Sequence, residues 1–129
     1  MVNVPQISDT EWQVMKVIWA KNSPVTANQV IEALEGSCNW KPKTIKTLLG
    51  RLVKKKALSF NKESREYVYY SLISEKECVR AENKSFLSKV YGGAFNIMFA
   101  SFLEEEKLTL EEISELKKIL EDKSSEKTD

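Results

Sequence analysis

The stretch Lys41-Pro42-Lys43-Thr44-Ile45-Lys46-Thr47-Leu48-Leu49-Gly50-Arg51-Leu52-Val53-Lys54-Lys55-Lys56, followed by Leu58-Ser59-Phe60 and Tyr67-Val68-Tyr69-Tyr70, decides the fold. Pro42 suits the first turn of a helix, where its missing amide proton would be unpaired anyway. The spacing predicts a helix from near Pro42 to about Lys56. At about 100° per residue, Ile45, Leu48, Leu49, Leu52 and Val53 gather within about 140° of arc and form its buried face. Lys43, Thr47, Gly50 and Lys54 lie opposite, flanked by Lys46 on one side and Thr44 and Arg51 on the other. No acid falls on that outward face. Leu58–Phe60 and the alternating Tyr67–Tyr70 read as two short strands joined by polar Asn61–Glu66.

Upstream, Ser8-Asp9-Thr10-Glu11 is a capping-box pattern that opens a helix, and Trp12, Met15, Ile18 and Trp19 mark its apolar face. Asn22-Ser23-Pro24 ends it. Thr26-Ala27-Asn28-Gln29 is a second box, with Val30, Ile31 and Leu34 on its inner side and Gly36 as the stop. Three helices followed by a two-stranded hairpin is the order of a winged helix-turn-helix in a mainly α chain. Downstream, Ser74-Glu75-Lys76-Glu77 opens a fourth helix reaching Tyr91, and Gly92-Gly93 breaks it. Ala94–Leu103 makes a fifth. The last starts at the box Thr109-Leu110-Glu111-Glu112 and runs through Leu120, with Lys123–Asp129 as a polar, frayed tail. The expected division is a winged-helix domain over 1–73 and a second, helical domain over 74–129.

The chain has 129 residues and a formal charge of +1, a total that conceals a separation. Residues 1–73 carry eleven basic and six acidic side chains, whereas 74–129 carry nine basic and thirteen acidic. Lys41 to Arg65 alone holds nine basic residues and one acid, Glu63. No apolar run approaches the ~18 residues of a membrane span, and Met1–Thr10 lacks the pattern of a signal peptide, so a cytoplasmic protein is expected. Cys38 and Cys78 form no CxxC pair, and histidine is absent. That leaves too few ligands for a Cys/His zinc site and removes the commonest general base. Neither an enzyme active site nor a cofactor is expected, and the cysteines read as ordinary reduced thiols.

An ordinary surface helix mixes charge signs for i,i+4 pairing, and the outward face of Pro42–Lys56 does not. A cationic, hydroxyl-bearing helix face is what the DNA major groove requires. Lys43, Thr44, Lys46, Thr47 and Arg51 are the expected groove residues, with Lys54, Lys62 and Arg65 on phosphates. Gly50 either admits the phosphates closely or is a tolerated defect. Trp40 either packs under the helix or stacks on a sugar-phosphate, and the core reading is preferred. The acidic half raises a different problem. Phe86, Leu87, Val90, Tyr91, Phe95, Met98, Phe102, Ile113, Leu116 and Leu120 are too apolar for three short helices alone, and a two-fold dimer would cover them. Packing back on the winged helix, or holding another protein as an interaction module, are the alternatives.

These motifs resemble the penicillinase-repressor family of dimeric winged-helix repressors. The likeness is carried by Ile7-Ser8-Asp9-Thr10-Glu11-Trp12 with Ile18-Trp19, by Lys43 through Lys55, by Tyr67-Val68-Tyr69-Tyr70, and by Phe86-Leu87 with Val90-Tyr91-Gly92-Gly93. The resemblance implies a homodimer that binds palindromic operator DNA and represses β-lactam-resistance genes. It also implies relief through a membrane sensor and an inducer-linked protease that cuts within the dimerisation helices. The family's cleaved Asn–Phe bond maps onto Ser101-Phe102, where the Asn is absent, which leaves room for a repressor answering a different signal. Lys46 stands where relatives often carry Arg, a point charge in place of a bidentate fork. The copper-responsive branch carries clustered C-terminal cysteines that this chain lacks, so metal sensing is not expected.

Overall fold

A computed structural model describes residues 4–22 and 24–126. Nine elements follow in order: α1 (Asp9–Lys21), β1 (Val25–Thr26), α2 (Ala27–Leu34), α3 (Pro42–Lys54), β2 (Leu58–Glu63), β3 (Glu66–Ser71), α4 (Glu75–Tyr91), α5 (Phe95–Glu105) and α6 (Leu110–Ser125). The expected capping boxes form. Ser8, Thr26, Ser74 and Thr109 each accept from the backbone amide three residues on, and Glu11, Gln29, Glu77 and Glu112 accept in return from the cap amides. Each box satisfies orphan amides of a first turn, which is why these four starts fall where the local sequence puts them. Asn22 closes α1 in the left-handed region, with φ 53. Ser23, expected in the same helix stop, lies outside the described residues.

Two expectations about the sheet need correction. Among the described residues three strands are present, in the order β1-β3-β2, all antiparallel. Val25-Thr26 pairs with Tyr69 and Val68, a two-residue strand too short to show any periodicity. The hairpin is also longer than expected. Its ladder runs from Leu58↔Ser71 to Glu63↔Glu66, so Asn61, Lys62 and Glu63 are strand residues and the turn is only Ser64-Arg65. Lys62, Glu63, Glu66 and Tyr67 at the outer end of that ladder are all exposed, so no apolar alternation is required there.

The core of the first unit gathers Val14, Met15 and Ile18 of α1, Val30 and Leu34 of α2, and Ile45, Leu48, Leu49 and Leu52 of α3. Trp12 and Trp19 are half-buried at its edge, in an edge-to-face contact with ring centroids 5.6 Å apart. Trp19 Nε1 donates to the Ile73 carbonyl at 3.0 Å, which explains why this large ring stops at the margin rather than entering the core. Trp40 is half-buried against the same core, as preferred from the sequence.

α3 ends at Lys54, two residues short of the expected Lys56. Lys56 takes φ 66, its amide bonds to the Val53 carbonyl, and the Ala57 amide bonds to the Leu52 carbonyl. That pairing is a Schellman closure built without the usual glycine, so the sequence gives no stop signal.

The chain divides into two compact units, one up to Asn83 and the other from Lys84, with the division inside α4. Cys78 near the start of α4 is buried in the core of the first unit. In the second unit α5 extends to Glu105, past the expected Leu103. α6 runs through Ser125, so Lys123–Ser125, expected in the polar tail, lie within the helix. Lys123 pairs with Glu126, and Ser125 Oγ donates to the Asp122 carbonyl, which helps hold the last turn. The rest of the expected tail, 127–129, lies outside the described residues. No residue of α5 or α6 is buried. Phe86 stacks near Phe102, and Phe95 near Phe99, leaving much apolar surface on the outside. No single helix among the described residues is long and apolar enough to cross a membrane.

Candidate nucleic-acid interface

α3 presents two unlike faces. Ile45, Leu48, Leu49 and Leu52 are buried, while Lys43, Thr44, Lys46, Thr47, Gly50, Arg51 and Lys54 are all exposed. The helix contains no acid, so no side chain within it offsets its cations. Thr47 Oγ1 donates to the Lys43 carbonyl at 3.0 Å. Its proton is committed to the helix, and what it turns outward is a methyl group and lone pairs. A Cβ at Gly50 would meet nothing within 4 Å, so the protein itself does not require glycine there.

Lys62 and Arg65 are exposed on the hairpin, Lys62 in the β2 ladder opposite Tyr67 and Arg65 in the turn. Ser64, the other turn residue, has φ 57. Positive φ at a hairpin turn matches the right-handed strand twist, though glycine and asparagine adopt it more easily. Phe60 packs edge-on against Tyr67 at 4.8 Å, stiffening the middle of the wing.

A cleft opens where α2 begins, lined by Thr26, Ala27, Asn28, Lys46, Glu66, Tyr67 and Tyr69. It joins an α3 cation to the aromatic side of the wing and the first turn of α2. Burial, with Tyr67 beside it, raises the Tyr69 hydroxyl above its usual value and keeps it a neutral donor. The sequence marks Tyr67 and Tyr69 as strand residues only; their alternation signals a strand and carries no hint that one face borders α3.

One cation of the basic run is directed elsewhere. Lys55 Nζ makes an ion pair with Glu11 and donates to the Gln6 carbonyl at 2.8 Å. Glu11 is 2% exposed, the one buried charged residue among those described. Burial raises its carboxyl, but the Lys55 hydrogen bond and charge and the Ser8 amide outweigh it, and the net shift is downward.

Two thiols complete the first unit. Cys78 is buried, and that burial, with Glu77 nearby, pushes it up to about 11, so it is an unreactive thiol. Cys38 is free and half-buried. Among the described residues no cluster of His, Cys, Asp or Glu has the arrangement of a metal site.

The residues expected at a dimer contact all sit in the α4–α6 region and none is buried. Val90, Phe95, Phe102 and Leu120 are each about half exposed, at 52%, 54%, 48% and 51%. Phe86 is exposed, and Leu87, Tyr91, Met98, Ile113 and Leu116 are half-buried. Ser101 and Phe102 lie inside α5.

The penicillinase-repressor family matches residues 7–122 of this sequence. The chain belongs to that family. It is 46% identical over 127 residues to the penicillinase repressor of Bacillus licheniformis, covering 98% of each chain. It is 42% identical over 118 residues to the methicillin resistance regulatory protein MecI of Mammaliicoccus sciuri, covering 92% of this chain and 95% of that one. A solution structure of the monomeric form of Bacillus licheniformis BlaI in complex with the blaP half-operator is similar in fold. It has a TM-score of 0.52 and 49% identity, over 60% of this chain and 93% of that one. The family is one of winged-helix transcriptional repressors, not enzymes.

Proposed function

We propose that this penicillinase-repressor family member is a homodimeric transcriptional repressor of β-lactam-resistance genes. It would act in the cytoplasm on palindromic double-stranded operator DNA. The observation that carries the reading is the exposed face of α3, with four cations, two threonines and no acid. Lys43, Thr44, Lys46, Thr47 and Arg51 enter the major groove, where Arg51 has the reach and planar fork to read a guanine edge. Lys54, Lys62 and Arg65 hold phosphates. The Tyr67 side chain, on the cleft beside Lys46, joins them as a hydrogen-bonding group. Lys55, occupied by Glu11, is left out of the contact set.

Residues 1–73 form the DNA-binding part and 74–129 the dimerisation part of this reading. The apolar side chains of α4–α6 that find no cover in one copy support a two-fold partner, which would pair two recognition helices with two half-sites. Relief of repression by an inducer-linked protease at Ser101–Phe102 requires α5 to open locally, because a protease takes its substrate extended. α5 has no side-chain cap at Ala94 and no buried residue, both of which favour such opening.

The test is retention on random duplex DNA. The wild-type chain is expected to bind at low salt and elute steeply as salt rises, whereas absence of binding at low salt would favour a protein-interaction module instead.

A further inference from the structure

The repressor reading leaves the Glu11–Lys55 pair unexplained, and the pair sits where DNA contacts are set up from behind. Lys55 is the residue that closes α3, its amide bonding to the Arg51 carbonyl. Immediately after it the chain reverses. Lys56 takes positive φ, Ala57 and Leu58 are buried, and the Leu72 amide bonds to the Ala57 carbonyl, so β2 departs within three residues of the helix end. This turn is the direct covalent link between Arg51 and Lys54 on α3 and Lys62 and Arg65 on the wing, whose β3 is tied on its other side to β1. On the far side, Glu11 is held by the amide of Ser8 at 2.9 Å, inside the capping box that starts α1. Lys55 reaches across forty-four residues of sequence to that carboxylate, and its remaining donors include one to the Gln6 carbonyl. A nearly inaccessible carboxylate with a charged partner is a directional anchor, because Lys55 cannot swing out to solvent without leaving the buried Glu11 carboxylate short of its charged partner.

Resting on the repressor reading, we propose that Glu11 and Lys55 are positioning residues for DNA binding, locking the turn that fixes the wing relative to the recognition helix. Neither touches DNA. Lys55 stands beside Lys54 in a lysine run, yet its charge serves the register of the others. A fixed register matters for a sequence-specific contact, which needs helix and wing cations to meet set phosphates together. It matters much less for loose binding to any duplex, where cations pair with whatever phosphate is near.

The experiment uses the full chain and two probes: the duplex that the wild-type chain enriches from a random pool, and a scrambled duplex of equal length. Lys55→Met keeps the apolar stem and removes the charge, and Glu11→Gln keeps an acceptor for the Ser8 amide. Affinities are measured by fluorescence anisotropy across salt, at a temperature where circular dichroism shows each variant folded. Lys55→Met is expected to lose about tenfold on the enriched duplex and less than twofold on the scrambled one, with an unchanged salt slope. Glu11→Gln removes a negative charge, so simple electrostatics would tighten binding; the expected result is weaker binding to the enriched duplex. The double variant should be no weaker than Lys55→Met alone. Equal losses on both duplexes with a slope reduced by about one would make Lys55 a phosphate contact and overturn the proposal. So would Glu11→Gln binding the enriched duplex as tightly as wild type, or tighter. A wild-type chain that binds neither duplex would overturn the repressor reading itself, and this inference with it.

Discussion

Arg51 and Lys62 are both exposed cations, but they fail differently when removed if one reads bases and the other holds phosphate. Arg51→Ala is expected to cost ~1–3 kcal/mol on a specific duplex, a loss that scrambled DNA largely escapes. Lys62→Ala is expected to weaken binding to both duplexes alike and to lower the salt slope by about one. Titrations of each variant at several salt concentrations distinguish the two outcomes. Glu11 gives a prediction about stability. Its carboxyl sits below the ordinary 4.5 in the folded chain, so the ionised form is the one folding favours. The stabilisation is fully present above that ordinary value and is lost as pH falls through the lower, folded-state value. Urea midpoints for wild type and Glu11→Gln should therefore differ most near pH 7, and the gap should narrow progressively as pH falls below about 4.5. A gap that stays constant with pH would mean that the pair contributes nothing through its charge.

The elements differ in how far each was legible. Helix starts were read correctly because a capping box is complete within four residues, and Ser8, Thr26, Ser74 and Thr109 each had theirs. The end of α3 was not, because its left-handed closing position is occupied by Lys56 in place of glycine. Lys56→Gly is accordingly expected to raise stability by ~1 kcal/mol, read as a higher melting temperature. β1 was missed because two residues display no period and its partner Tyr69 lies more than forty residues away. Distance in sequence also hid the fate of Lys55, which reads as one more lysine until α1 is folded beside it. Cleft residues such as Tyr67 were invisible for the same reason. Gly50 offers a second test on α3. With open space around its Cβ position, Gly50→Ala should stabilise the helix by about 1 kcal/mol. Any accompanying loss of DNA affinity would come from the nucleic acid, since no protein atom opposes the methyl.

At the scale of the whole molecule, the near-neutral +1 is a sum over two regions of opposite net charge. The basic run becomes the outward face of α3 plus the wing, less the one lysine spent on Glu11. The acidic excess falls in α4–α6, which expose Val90, Phe95, Ile97, Phe102, Leu110 and Ile119 in a single copy. A second copy covering that surface predicts a sedimentation mass near twice 14.8 kDa at micromolar concentration. Charge at Phe102 should break the pairing, so Phe102→Glu is expected to sediment as a monomer that keeps its first unit folded. The most direct test of the central claim is the salt dependence of wild-type affinity for the enriched duplex between about 50 and 200 mM. Neutralising several phosphates through α3 and the wing predicts a straight log–log fall of at least a hundredfold over that range, about 10³ if six phosphates are engaged. Affinity that is weak at the lowest salt, or flat across the range, would contradict a DNA-binding face built from these residues.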